Sequence, residues 1–82
     1  MTEMVVAYTL LKTDPGRDEE LRKEITGLAG VLSAELIYGS YDVILKLEFK
    51  STEELDEFIF ESLRRMPGIR DTLTVITAKR RV

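Results

Sequence analysis

Two stretches of this chain repeat one pattern, and that repeat limits the folds open to it. Glu19-Glu20-Leu21 opens a helical stretch that ends at Gly30-Val31, and Glu53-Glu54-Leu55 opens another that ends at Pro67-Gly68-Ile69. Nine positions separate Leu21 from Gly30 and thirteen separate Leu55 from Gly68, so the second copy is longer by four residues, about one helical turn. Strand-like runs flank both copies. Met4 to Lys12 is rich in Val, Tyr, Thr and Leu and is broken by Thr13-Asp14-Pro15-Gly16. From Arg17 to Leu28, Leu21, Ile25 and Leu28 recur at helical spacing. Asp18, Glu19 and Glu20 occupy the first turn, where the helix dipole favours acids. Val31 to Tyr38 reads as a second strand. Tyr41 to Phe49 is a third, with Val43, Leu45, Leu47 and Phe49 on one face and Asp42, Ile44, Lys46 and Glu48 on the other.

Ser51 or Thr52 caps the second helix, and Glu54 or Glu53 completes a capping box. Its apolar face is Leu55, Phe58, Ile59, Leu63 and Met66, with Phe60 off that stripe and free for a second contact. Ile69 to Lys79 is the last strand, and the tail Arg80-Arg81-Val82 is short and frayed. The order is β-α-β-β-α-β. Two right-handed β-α-β units in one sheet, joined by a hairpin, give an α+β, ferredoxin-like fold. Its four-stranded antiparallel sheet has the first and third strands in the centre and both helices on one face.

With 82 residues there is one domain, spanning 1–82, able to bury somewhat over ~60% of its unfolded surface. A hydrophobic fraction of 44% beside 33% charged residues marks a globular chain rather than a disordered one. A net charge of −3, with acids and bases interspersed, argues against direct nucleic-acid binding, which depends on neutralising phosphates. There is no Cys and no His, so disulfides, thiolate chemistry and the commonest general base and metal ligand are all missing. Asn and Gln are missing too, and with many Glu, Arg and Lys this resembles thermophile composition. No basic amino-terminal region precedes an apolar segment, and no apolar run approaches the ~20 residues of a membrane span. The expected location is cytoplasmic, with no membrane partner.

The helix-free face of the sheet is apolar where water should meet it. The first strand is apolar in both registers, Val5, Ala7 and Leu11 on one and Val6, Tyr8 and Leu10 on the other. The last strand places Leu73 and Val75 opposite Thr72, Thr74, Ile76 and Ala78. A solvated sheet alternates cleanly, and contiguous apolar surface marks an interface. The expected partner is a second copy, most simply in a two-fold dimer with sheets facing. RNA binding on that face would need basic strands with stacking aromatics, and Ile44, Lys46 and Glu48 do not supply them.

Chemistry concentrates in Tyr38-Gly39-Ser40-Tyr41-Asp42, between the second and third strands. Gly39-Ser40 suits a two-residue II′ turn, since Gly supplies the positive φ. Backbone donors beside the Asp42 carboxylate would hold both ends of a zwitterion. Asp42 has no His or fixed Arg nearby in sequence, and a secluded carboxylate needs a partner. Thr72 and Thr74 form a second polar pair on the last strand, on the opposite edge of the sheet from the hairpin. They would meet Asp42 only across a subunit interface. A catalytic reading finds little: paired acids such as Glu53-Glu54 lie on solvated helix faces, Ser and Thr lack a His partner, and no phosphate loop or metal-ligand spacing occurs. Three readings stay open on these residues: a small-molecule sensor, a ligand-free assembly module in which Asp42 pairs with a neighbour's cation, and a small dimeric enzyme.

Taken with Ala7-Tyr8-Thr9-Leu10, Thr13-Asp14-Pro15-Gly16, Leu55-Asp56-Glu57-Phe58, Met66-Pro67-Gly68-Ile69 and Thr72-Leu73-Thr74, the hairpin segment makes the chain resemble the effector-binding (RAM) domain of Lrp/AsnC regulators from about Val5 to Lys79. The resemblance implies a non-enzymatic amino-acid sensor without cofactor or metal. It implies a site between subunits of adjacent dimers, in which N–H groups around Gly39, Ser40 and Tyr41 take the α-carboxylate and Asp42 takes an ammonium, either the α-amine or a basic side chain. Thr72 and Thr74 of a neighbour would complete it. Full-length regulators of this kind carry a helix-turn-helix domain ahead of the sensor, and the chain begins almost at the sensor's first strand. A stand-alone member is therefore expected, forming rings or stacks of dimers, mixing with full-length Lrp/AsnC-type regulators and making no direct contact with nucleic acid.

Overall fold

The structure is a computed structural model and describes residues 4–78; the expected end of the last strand at Lys79 and the tail Arg80-Arg81-Val82 lie outside them. Strand β1 (Val5–Thr13) has β-forming residues on both faces and sits inside the sheet, whose order is β2-β3-β1-β4. Helix α1 (Asp18–Thr26) leads to β2 (Val31–Leu36), and the hairpin to β3 (Val43–Phe49). Helix α2 (Thr52–Glu57) runs on into a π-helical segment, Phe58–Leu63, before β4 (Ile69–Ile76). This is the ferredoxin-like arrangement, with every neighbouring pair of strands antiparallel.

Alternation decides the two faces. Ala7, Leu11, Val43, Leu45 and Leu47 are fully buried beneath the helices, joined by Leu21 and Ile25 from α1 and by Leu55, Phe58, Ile59 and Leu63 from the second helix. The other face keeps Val6, Tyr8, Leu10 and Ile44 only half-buried and leaves Leu73 and Val75 about half exposed. Ser51 caps α2 by accepting from the Glu54 N–H at 3.2 Å. The Glu54 carboxylate closes back on the Lys50 N–H at 3.3 Å, one residue earlier than a standard capping box.

The second helix departs from the regular α-helix that its spacing predicts. The Arg64 N–H donates to the Ile59 carbonyl at 2.9 Å, a five-residue step that marks the π turn. The chain thereby inserts a residue while keeping both Ile59 and Leu63 buried. Phe60 is turned outward, 53% exposed, with the Arg64 guanidinium 5.2 Å above its ring.

One glycine locks α1 against the sheet. Gly30 has φ +92°, and a Cβ there would lie 2.4 Å from the Phe49 ring. Substituting Gly30→Ala combines a left-handed backbone penalty of ~1–2 kcal/mol with overpacking of ~1–3 kcal/mol. Urea unfolding is expected to show a loss of about 2–5 kcal/mol with an unchanged slope.

Candidate functional site

The hairpin places its carboxylate by overhang. β1 extends two residues beyond Leu11, the partner of the first β3 residue, Val43. At that end the Asp42 N–H donates to the Leu11 carbonyl at 2.8 Å, and the Asp42 side chain takes over where a strand would have been. Its Oδ2 accepts from the Thr13 N–H at 2.9 Å and from the Thr13 hydroxyl at 3.3 Å. Sequence reasoning found no local partner for Asp42 because that partner sits 29 residues away on another strand.

The turn itself differs from the expected two-residue II′ form. Its register is the one Gly39-Ser40 would set, with Leu36 opposite Val43. The pairing nevertheless ends where the Ile37 N–H donates to the Asp42 carbonyl at 3.0 Å, leaving Tyr38 to Tyr41 as a wider loop. Gly39 has φ +136°, far from the roughly +60° of a II′ turn. The cause lies in β1: the Lys12 Nζ donates to the Ser40 carbonyl at 2.9 Å and, with the Asp42 contacts, draws the tip toward that strand. No hydrogen bond within the described residues uses the N–H groups of Gly39, Ser40 or Tyr41. Three donors thus stand beside a clamped carboxylate, and Tyr38 projects fully into solvent.

Thr72 and Thr74 lie elsewhere, on the helix side of β4. The Thr74 hydroxyl is 2.8 Å from that of Thr9, its cross-strand partner, and Thr9 is fully buried. Both β4 threonines border a groove of about 300 Å³ between the second helix and the free edge of β4, walled by Leu55, Ile59, Phe60 and Ile76. Asp42 opens instead into a separate recess of about 300 Å³ that it shares with Thr13, Lys12 and Arg70. Within one subunit the two candidate clusters do not share a cavity. Among the described residues no group of three potential metal-binding side chains occurs, and no helix is long and apolar enough to cross a membrane.

Sequence reasoning missed Thr9, Thr13, Arg64 and Ile76. Thr9 read as an ordinary strand threonine and Thr13 as part of the break after the strand, whereas β1 runs through Thr13, and only its register against β3 and β4 reveals what the two hold. Arg64 drew no reading, although it lies four residues beyond Phe60, at the spacing of neighbours on one helix face.

Residues 6–82 match the family model for the Lrp/AsnC ligand binding domain. The chain belongs to that family. The crystal structure of FFRP-DM1 is 36% identical and superposes with a TM-score of 0.87, covering 90% of this chain and 99% of that one. A hypothetical protein, PHS023 from Pyrococcus horikoshii, is also 36% identical, with a TM-score of 0.86 over 93% of this chain and 92% of that one. Among curated relatives, the HTH-type transcriptional regulator FL11 of Pyrococcus abyssi is 27% identical over 75 residues, which are 92% of this chain and 49% of that protein. The chain spans about half the length of the curated relatives it matches. The Neisseria meningitidis regulator NMB0573, solved as its L-Met complex, shares the fold at a TM-score of 0.82 and 19% identity, over 92% of this chain and 50% of that one.

The Thr13 clamp is testable by itself. Asp42→Ala removes a charge-assisted bond and leaves the Thr13 N–H unpartnered, a loss of about 1–3 kcal/mol. Amide hydrogen exchange is expected to accelerate at Thr13 and Asp42 while the Ala7 and Leu45 amides keep their protection relative to global stability. Unchanged exchange at Thr13 would show that the clamp does not hold the hairpin in solution.

Proposed function

We propose that this domain is an amino-acid sensor that self-assembles and serves transcription regulators of its own family, without enzymatic activity and without binding DNA through its own surface. The observation that carries this reading is the hairpin loop. Three unpaired backbone donors at Gly39, Ser40 and Tyr41 stand next to the Asp42 carboxylate, in a ligand-binding domain of a regulator family. Those donors suit an α-carboxylate. The Asp42 oxygen not used by Thr13 suits an ammonium, the other group shared by every free amino acid. Thr72 and Thr74 of a neighbouring subunit complete the site, since within one subunit they border a groove separate from the recess of Asp42.

The open face of the sheet supports the first level of assembly. Leu73 and Val75, exposed to 45% and 50%, continue the half-buried Val6, Tyr8 and Leu10 into one apolar surface. Covering it with a second copy removes that surface from water, the main drive of association. The assembly-only alternative, with Asp42 paired to a neighbour's cation, is less well supported, since Thr13 gives that carboxylate two donors from its own subunit.

A thermal-shift panel of the twenty amino acids tests the sensor reading. A ligand at ~100 times its dissociation constant adds ~2.7 kcal/mol to the folded state, which for a domain of this size raises the melting temperature by roughly 10 °C or more. A flat panel on a clean melt would sink the sensor. For the sheet interface, Val75→Glu places a charge in the apolar surface and is expected to lower the mass measured by light scattering by half or more. An unchanged mass would locate the contact on another face.

A further inference from the structure

The open face of the sheet holds two opposite charges that its own subunit leaves unmatched. Lys46 and Glu48 sit two positions apart on β3, on the same side of the sheet as Val6, Tyr8 and Leu10. Both are half-buried, and neither makes an ion pair among the described residues. A charge pressed against an apolar surface without a partner is costly. Whatever covers this face must therefore answer both charges as well as the apolar side chains.

A second copy does so in one orientation. The strand register sets Leu47, Ala7 and Ile76 at one level across β3, β1 and β4. On the open face that level falls between Lys46 and Glu48 and between Tyr8 and Val6. A two-fold axis running across the strands at this level reverses the strand direction, so each residue faces the one on the other side of the axis. Lys46 then meets Glu48 of the second copy, and Glu48 meets its Lys46. Val6 and Tyr8 face one another in the same reciprocal way, and Leu10 approaches Met4, which is 37% exposed. Cation meets anion and apolar meets apolar. The other aligned packing of two sheets has its axis along the strands and keeps every residue at its own level. Lys46 would then lie against Tyr8, Val75, Ser33 or its own equivalent, and Glu48 against Val6, Thr77 or its own equivalent. None of these offers an opposite charge, so that packing strands both groups in the interface.

We infer that two copies of this chain pack open face to open face about a two-fold axis crossing the strands at Leu47, with reciprocal Lys46–Glu48 ion pairs fixing the register. This rests on the sheet interface proposed above and specifies it. The apolar residues drive the association, and the charges decide its orientation. An ion pair at a covered surface adds little over an apolar replacement, whereas a charge set against the wrong neighbour is strongly penalised.

Light scattering and sedimentation of Lys46→Glu, Glu48→Lys and the doubly exchanged chain test the inference. Each single reversal sets like charges against each other at both pairs and is expected to weaken the sheet contact roughly 10-fold or more. The double exchange restores both pairs at the original net charge of −3 and is expected to recover the wild-type mass. An equimolar mixture of the two single variants is expected to recover it too, since each meets its opposite. Lys23→Glu makes the same change of charge at an exposed position of α1 and is expected to leave the mass unaltered. A double exchange no better than the single reversals overturns the inference, as does a loss with Lys23→Glu equal to that with Lys46→Glu. Single reversals that behave as wild type also overturn it, and if Val75→Glu still disrupts assembly the sheet interface stands without the pairs. If Val75→Glu leaves the mass unchanged as well, the interface reading fails and this inference with it.

Discussion

Two threonines on the buried side of β1 hold both ends of the candidate binding machinery. Thr9 and Thr13 are the buried polar side chains among the described residues, and they lie four positions apart on one face of one strand. Thr13 gives its N–H and its hydroxyl to Asp42 on the β3 side, and Thr9 shares a hydroxyl contact with Thr74 on the β4 side. A buried hydroxyl costs free energy unless it is hydrogen-bonded, so each threonine constrains its partner's geometry as well as its own. The hairpin and the β4 groove are far apart in sequence and flank β1 on its two sides, so both are indexed to the same strand. β1 is therefore the ruler of the domain, and its central place follows from the interleaving of the two β-α-β units.

That interleaving was legible in the sequence because it rests on periodicity, which survives without tertiary knowledge. The alternation of Val43, Leu45 and Leu47, the helical spacing of Leu21 and Ile25 and the glycine stops all reappear in the structure. The faces of β4 were legible for the same reason. The turn type was not. Gly39-Ser40 carries a local preference for a tight turn, and Lys12 and the Asp42 contacts on β1 override it. The π turn at Phe58–Leu63 was also invisible, because Leu55, Phe58, Ile59 and Leu63 read equally well as an ordinary helical stripe. At the hairpin a long-range contact decides the local form, and single-sequence reasoning sees only the local side of that balance.

The π turn lies along one wall of the groove. The inserted residue is accommodated with Ile59 and Leu63 still in the core and Phe60 off the apolar stripe, where its spacing already places it. Phe60 and Arg64 stand four positions apart, the spacing of neighbours on a helix face, and the cation lies over the ring. A rare helical form, of a kind frequent at functional sites, thus stands beside an apolar wall and an arginine that makes no ion pair among the described residues. The hairpin follows the same logic. It gives up the compact turn its glycine would permit and leaves three backbone donors open beside a carboxylate fixed by Thr13.

The placement of these two features sets the form of the proposed assembly. Asp42 opens at the strand ends into one recess and Thr72 and Thr74 border another along the β4 edge, so in the proposed site a ligand gripped by both bridges two subunits. Such a contact joins unlike surfaces and propagates head to tail, whereas facing open sheets join like surfaces about a two-fold axis. The two contacts use different parts of the molecule and are compatible in one particle, which then closes into a ring or extends as a stack. A ligand shared between subunits is linked to assembly by thermodynamic reciprocity: whatever free energy it adds to the contact, assembly adds to its binding. An 82-residue domain with a modest core is suited to this role. Under the proposed function it need not move internally to report a ligand, because the quantity that changes is the number of subunits held together.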